Sequence, residues 1–396
     1  MDILVLNYEY PPLGGGAAPV CRDLAVGMAR EGHSVTVVTM GYAGLPGRET
    51  RDGVELIRLK CLRARAHACM PWEQCSYILA AMRFLKRRLQ TRRYDVCHAH
   101  FVIPTGPVAR WLKRRYGIPY VITAHGSDVG GYNDKAWMKL MHRFLRPAWR
   151  GIVRDAHAVA APSAYLMGLL EQALPGGPYL RIPNGLDMAK YRANGAAKER
   201  RVLLMGRMQP SKNIQTVFRA AARIPEAPWA GWSVEALGDG TFRPELERLC
   251  EELGLQGLAR FHGWVENGSE AQLDLLRRSA IYVSASHFEN CPMAVLEAMA
   301  AGCRLLLSDI DGHRQFFGSD AEALFFPADD ADALAAALEG LLRQDPKPDD
   351  GGQTCLAAFD VRRVTARYID ILEGATGEDD TGEDSEGGGA GQAGCP

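Results

Sequence analysis

His287-Phe288-Glu289-Asn290-Cys291-Pro292-Met293-Ala294-Val295-Leu296-Glu297-Ala298-Met299-Ala300-Ala301-Gly302 is the stretch on which the reading of this chain turns. Apolar runs flank it, Ile281 to Ser286 before and Cys303 to Ser308 after, and both read as buried strands. Pro292 suits the first position of a helix and Gly302 the position past its end, so a helix of about Pro292 to Ala301 is predicted. The unit is strand, helix, strand, with Glu289 on the loop above the sheet and Glu297 farther down the helix. In a parallel sheet the ligand crevice lies outside the carboxyl ends of the strands, where this loop falls. Neither Asn290 nor Cys291 is needed as a cap, which leaves the first helical N–H groups to an anionic or hydroxylated ligand. Local physics leaves two readings open. The two carboxylates, with seven residues between them, face a ligand, or Glu289 caps the helix and Glu297 faces solvent.

Three further segments place chemistry at strand ends. After the strand Arg201 to Met205 comes Gly206-Arg207-Met208-Gln209-Pro210-Ser211-Lys212-Asn213. A lysine at a helix start opposes the helix dipole unless an anion offsets it, so Lys212 points to a ligand. At the N-terminus the strand Asp2 to Leu6 runs into Asn7-Tyr8-Glu9-Tyr10-Pro11-Pro12-Leu13-Gly14-Gly15-Gly16 and a helix to about Arg30. A nicotinamide dinucleotide site also uses glycines after a first strand. Here the glycines come too late, do not fit G-x-G-x-x-G, and the second strand, Ser34 to Thr39, ends in Met40-Gly41 with no acid for a ribose. The third segment is Ala124-His125-Gly126-Ser127-Asp128, after the strand Ile118 to Thr123. His98 and His100, which follow the strand Tyr94 to Cys97, read as structural.

Taken in order, these motifs resemble the retaining glycosyltransferases of family 4. Glu289 and Glu297 match the family's Glu-x7-Glu signature, Arg207 and Lys212 its Gly-Arg…Lys segment, and Gly14, Gly15 and Gly16 its Tyr-Pro-Pro…Gly-Gly loop. Ile182-Pro183-Asn184-Gly185-Leu186-Asp187 looks like its interdomain Pro-Asn-Gly-Val-Asp, and Leu237-Gly238-Asp239-Gly240 and Phe261-His262-Gly263-Trp264-Val265 follow in its order. The resemblance covers about residues 2 to 372. It implies an α/β fold of the GT-B type, two Rossmann-like domains with parallel sheets facing each other across an interdomain cleft. It implies a nucleotide-diphosphate sugar donor with its diphosphate on Arg207, Lys212 and the Gly14 to Gly16 loop and its ribose on Glu297. Glu289 and His125 would be the catalytic pair at the sugar, with further donor contacts at Asn290, Cys291 and Met293. Fixed cations stabilise the charge that grows on the leaving diphosphate, and Arg and Lys both suit phosphate oxygens.

The expected activity is hexosyltransferase-like, moving a sugar to a hydroxyl of a glycan or lipid-linked acceptor with retention of configuration, without a metal or another cofactor. A role in polysaccharide or lipopolysaccharide biosynthesis fits. Two alternatives remain, a sugar-nucleotide epimerase or hydrolase on the same architecture and a non-catalytic binding partner in a glycan-synthesis complex. The chain departs from the family in having Asn290 where Gly is usual. Asp311-Gly312-His313-Arg314-Gln315 stands where the family has Gly-Gly-x-x-Glu; it lacks that Glu and adds a cation. Asp309-Ile310-Asp311 reads as structural rather than as a metal-binding Asp-x-Asp.

At 396 residues with 47% hydrophobic content the chain is long enough for two cores. The expected division is 1–185 as an acceptor-side domain and 190–356 as a donor-nucleotide domain. A terminal helix of about 360–372 would pack back on the first domain, ahead of a disordered acidic tail over 374–396. Residues 1–187 carry 25 Lys and Arg against 14 Asp and Glu, and the remainder 21 against 33. The basic excess gathers in Arg83 to Arg88, Arg110 to Tyr116 and Trp137 to Arg146, where apolar side chains interleave with it. One segment alone is an ordinary amphipathic helix, while the set suits an anionic membrane surface. No stretch reaches a transmembrane length and the start is a strand, so a cytoplasmic protein, peripheral on the inner face of the cell membrane, is expected, with no nucleic-acid partner. The ten cysteines show no C-x-x-C pair, which argues against a zinc site or a disulfide framework.

Overall fold

A computed structural model of the chain describes residues 1–66, 69–132, 136–192, 195–317, 323–348 and 356–377. It divides into two compact units. One comprises Met1–Gly185 together with the C-terminal segment from Val361, and the other Leu186–Asp360.

The first unit is built on eight strands: β1 (Asp2–Leu6), β2 (Ser34–Met40), β3 (Arg48–Arg51), β4 (Val54–Leu59), β5 (Val96–His100), β6 (Tyr120–Thr123), β7 (Ala158–Ala161) and β8 (Tyr179–Arg181). They lie in the order β3-β4-β2-β1-β5-β6-β7-β8. Every pairing is parallel except that of the edge strand β3, which runs antiparallel to β4. Both faces of a parallel sheet are covered by helices, which is why β1 reads as an unbroken apolar run. Leu4 and Leu6 enter a core with Tyr77, Leu85, Leu112 and Trp149 from the helices Pro71–Arg88, Thr105–Tyr116 and Ala136–Asp155. The opposite face carries the helix Ala17–Arg30 against the terminal helix Val361–Gly377, whose Tyr368 hydroxyl bonds Thr123 Oγ1 at 2.8 Å.

The second unit has six parallel strands: β9 (Glu199–Met205), β10 (Ser233–Leu237), β11 (Ala259–Gly263), β12 (Ser279–Ser284), β13 (Arg304–Ser308) and β14 (Leu324–Phe326), ordered β11-β10-β9-β12-β13-β14. Alternate residues feed two cores. Val202 and Leu204 of β9 face one, and Leu203 faces the other, which also takes Val295, Leu296 and Met299.

Several boundaries differ from the sequence expectation. β5 does not stop at Cys97 but continues through His98 and His100, both fully buried, because the imidazoles find partners inside the unit. The helix after Glu289 spans Met293–Ala300 with Pro292 as its extended N-cap residue rather than its first helical position. The terminal helix runs to Gly377, so 374–377 of the expected tail are helical, with Ala375 buried. The rest of that tail, from 378, lies outside the described residues. Among the described residues no helix is long and apolar enough to cross a membrane.

Candidate active site

The carboxyl edge of the second sheet gathers the charged residues of the motifs. Past β9 the chain turns through Gly206 and exposed Arg207, and no described carboxylate pairs with that guanidinium. A short 3-10 turn, Pro210–Lys212, then ends at buried Asn213, whose Nδ2 donates to the Ala328 carbonyl at 2.6 Å. From this turn Lys212 reaches the loop after β12 and donates from Nζ to Glu289 Oε1 at 2.5 Å. The Ser286 hydroxyl donates to the same oxygen at 2.7 Å, and the His287 N–H bonds the Ser211 carbonyl at 3.0 Å, tying the two loops together. Burial alone would push the Glu289 carboxyl up. The Lys212 charge and the hydrogen bonds from Lys212 and Ser286 outweigh it and hold the group below its ordinary value. Glu289 is therefore an anion at neutral pH with 12% of its side chain exposed.

The next loop sets the position of Glu289 from below. A Cβ on Gly312 would run into the Glu289 carbonyl oxygen and lie 2.8 Å from its Cβ, so only glycine lets the short helix Asp311–Arg314 approach this closely. Gln315, in the place of the family's Glu, donates from Nε2 to the Asn290 carbonyl and, at 2.8 Å, to that of Gly312. Buried His313 donates from Nδ1 to the Ser308 carbonyl at 2.8 Å, which leaves Nε2 to accept from Ser284 Oγ at 3.1 Å. Burial foremost lowers its pKa. Arg314, the cation this loop adds, is bonded to Asp309 and stacked over Phe325 with its Cζ 4.6 Å from the ring centroid.

Glu297, 3% exposed, is held from three directions. Its Oε1 accepts from Asn267 Nδ2 at 3.0 Å and from the Tyr191 hydroxyl at 3.3 Å, and its Oε2 from Gln272 Nε2 at 3.2 Å. The solvent-facing reading of this residue is thereby excluded, and the Glu289 carboxylate bonds Lys212 and Ser286 rather than capping the helix. Asn290 and Cys291 are buried at the head of that helix and Met293 is half-buried.

In the first unit Gly14, Gly15 and Gly16 precede the uncapped helix Ala17–Arg30. Gly14 has φ of +97°, and a Cβ there would meet Glu9 at 2.5 to 2.7 Å. Glu9 Oε2 in turn accepts from the Gly15 N–H at 3.1 Å, and open space borders Gly15 and Gly16. His125 follows β6. Asp128 Oδ1 accepts the N–H groups of His125 at 3.1 Å and Gly126 at 2.9 Å, while its Oδ2 accepts that of Val102 at 2.6 Å, so one buried carboxylate clamps two loops. His125 Nε2 lies 3.1 Å from His100 Nδ1, and the His98 ring packs on His100 at 4.4 Å. Burial, aided by His98, pushes His125 down to about 3, so it is a neutral imidazole at pH 7, fit to donate or accept one hydrogen bond.

The structure thus brings Lys212 and Glu289 into contact and sets Arg207 on the turn that leads to Lys212. It places Glu297 in a separate polar nest. Sequence reasoning missed Ser286, Tyr191, Asn267, Gln272 and the clamp of Asp128. Only Ser286 and Asp128 carried a local signal, each sitting three residues from the motif residue it supports. Among the described residues no group of His, Cys, Asp and Glu could hold a metal ion, and the eight described cysteines are free thiols.

Comparison with known proteins fits this geometry. Residues 14–190 match the family model described as Glycosyltransferase Family 4, and residues 188–354 that of Glycosyl transferases group 1. A phosphatidyl-myo-inositol mannosyltransferase of Mycolicibacterium smegmatis is 30% identical over 280 residues, 67% of each chain. Among solved structures, the sucrose-phosphate synthase from Thermosynechococcus elongatus superposes with a TM-score of 0.80 at 20% identity, covering 94% of this chain and 98% of that one. Anabaena HepE in complex with UDP-glucose does so at 0.69 and 18% identity, covering 94% of this chain and 100% of that one. The fold is GT-B, with an α/β unit in each half. The chain is a glycosyltransferase, and it belongs to glycosyltransferase family 4.

Proposed function

We propose that the enzyme moves a hexose from a nucleotide-diphosphate sugar to a hydroxyl of a glycan or lipid-linked acceptor, with retention of configuration and without a metal. The observation that carries this reading is the Lys212–Glu289 contact, with Arg207 exposed on the same turn and without an ion pair among the described residues, at the carboxyl edge of the second sheet. Arg207 and Lys212 bind the diphosphate and stabilise the charge that grows on it. Glu289, kept anionic, then holds sugar hydroxyls, and Glu297, oriented by Asn267, Gln272 and Tyr191, accepts from the ribose. Asn290, Cys291 and Met293 line the donor at the head of the helix. For the first unit the reading gives His125 a positioning or proton-relay role and Gly14 to Gly16 a phosphate-loop role. The anomeric carbon–phosphate oxygen bond breaks, the acceptor oxygen bonds that carbon from the same face, and the hydroxyl proton passes to a leaving phosphate oxygen.

The relatives support the donor class, since HepE is named in complex with UDP-glucose and the mycobacterial relative is named a mannosyltransferase. The acceptor class and a place in polysaccharide or lipopolysaccharide synthesis, peripheral on the cytoplasmic face of the membrane, follow from the basic excess of residues 1–187. The test is slow donor hydrolysis in EDTA, followed by proton NMR before the released sugar mutarotates. Release of the donor's own anomer supports the reading. Release of the opposite anomer, or strict dependence on an added divalent cation, contradicts it.

A further inference from the structure

The helix Ala136–Asp155 is held from within and left bare on its outer side. Trp149, Ile152 and Val153 are buried, the Trp149 indole donates to the Asp128 carbonyl at 3.0 Å, and the Ile152 carbonyl accepts from the Tyr120 hydroxyl at 2.5 Å. These contacts fix which side faces out. On that side Trp137, Leu140 and Phe144, spaced three and four residues apart, form one stripe at 52%, 55% and 75% exposure. Soluble proteins seldom leave three large apolar side chains in a row exposed without a partner.

Beside this stripe runs a second one of Lys139, Arg143, Arg146, Arg150 and Arg154. The one described carboxylate on the helix, Asp155, is already bonded to Arg110 at 2.6 Å. Arg150 bonds the Ala173 carbonyl, whereas Arg143, Arg146 and Arg154 have no ion pair among the described residues. Arg143, Arg146, Arg150 and Arg154, with Pro147 and Gly151, line a concavity of about 470 Å³.

We propose that this outer face docks on an anionic phospholipid bilayer, with lipid phosphates seated among the arginines and Trp137, Leu140 and Phe144 dipping into the headgroup–acyl boundary. Charge complementarity selects the occupant. A bilayer offers an anionic headgroup layer and an apolar layer in parallel, which matches the arginine stripe and the adjoining apolar stripe along the length of the helix. The helix Thr105–Tyr116 packs between Ala136–Asp155 and Pro71–Arg88, and the last of these also exposes two large apolar side chains, Trp72 and Leu79. The inference rests on the peripheral-membrane part of the proposed function and is independent of its donor chemistry.

The test is co-sedimentation of the full chain with phosphatidylcholine vesicles, with and without phosphatidylglycerol. Arg143→Gln/Arg146→Gln and Leu140→Ser/Phe144→Ser are compared with Arg363→Gln/Arg367→Gln, exposed on the terminal helix Val361–Gly377 on the opposite face of the sheet. The expected result is binding to the anionic vesicles alone, weakened about 30-fold in the arginine pair, weakened similarly in the apolar pair, and least affected in the control. A control that loses as much as the arginine pair, equal binding to neutral vesicles, or no binding by the wild type overturns the proposal. Donor-sugar titrations on the same variants keep the two readings apart, because a docking variant is expected to bind donor as the wild type does.

Discussion

Replacing Lys212 with methionine keeps the length of the side chain and removes the charge facing Glu289. The two groups touch at 2.5 Å with 28% and 12% of their side chains exposed. Breaking a fully buried pair from one side costs about 3–5 kcal/mol. Lys212 keeps more than a quarter of its side chain in water, which reduces the expected loss to about 2 kcal/mol. For a unit of this size that lowers Tm by about 4–8 °C. The pH dependence identifies the cause. The native Glu289 carboxyl lies below its unfolded value, so the stability it lends is full above the unfolded pKa and drains as pH falls through the folded one. In Lys212→Met the burial that pushes the carboxyl up is no longer outweighed by the lysine, and protonation on acidification relieves the stranded charge. The Tm gap between wild type and variant should be widest near neutral pH and close as pH approaches about 4. Circular dichroism melts across that range read it directly. A gap that is constant or widens on acidification refutes the pairing argument, and a variant as stable as wild type refutes the pair's contribution.

Gly312→Ala is expected to cut transfer at least about 10-fold, because its methyl must displace the Glu289 backbone, with about 1–3 kcal/mol lost from overpacking; steady-state kinetics beside a thermal melt would show an unaffected rate if the close approach is unimportant. His98 is pushed down to about 3 by burial, so the unfolded chain takes up a proton there that the folded one refuses. Its contribution is full above the unfolded value of about 6.5 and falls by up to about 1.4 kcal/mol per pH unit below it. Urea midpoints should therefore drop on acidification, and less steeply in His98→Gln; identical slopes would sink this assignment. Asn267→Ala and Gln272→Ala, each of which removes one hydrogen-bond donor from Glu297, should raise the KM for donor severalfold and leave kcat nearly unchanged, and a fall in kcat alone would contradict a ribose-orienting role.

Apolar runs gave away half of the strands, because a sheet covered on both sides leaves little room for polar residues. β3 escaped since Arg48-Glu49-Thr50-Arg51 has no apolar residue at all and is held as an edge strand by antiparallel pairing with β4. β5 was cut short because histidine does not read as core, yet His98 and His100 find partners in Thr123 and His125, residues that no local pattern connects to them. The terminal helix outran its sequence limit where Gly374 breaks the pattern but Ala375 still packs. Motif order singled out Glu289, Lys212 and Arg207, which the fold places at the carboxyl edge of the second sheet, and His125 after β6 in the first unit. The direct pairing of Lys212 with Glu289, 77 positions apart, and the nest around Glu297 depend on how β9, β12 and the Glu270–Arg278 helix pack, which spacing alone does not encode.

The central claim is that Lys212 and Arg207 receive the diphosphate of a nucleotide sugar without a metal. Isothermal titration in EDTA, with UDP-, GDP- and ADP-sugars against the wild type and Lys212→Ala, tests it most directly. The account predicts binding of one nucleotide class by the wild type and at least about a 10-fold weaker Kd in the variant, since a charge-assisted phosphate contact is lost. Equal affinity in the two proteins, or no binding by the wild type until a divalent cation is added, would contradict it.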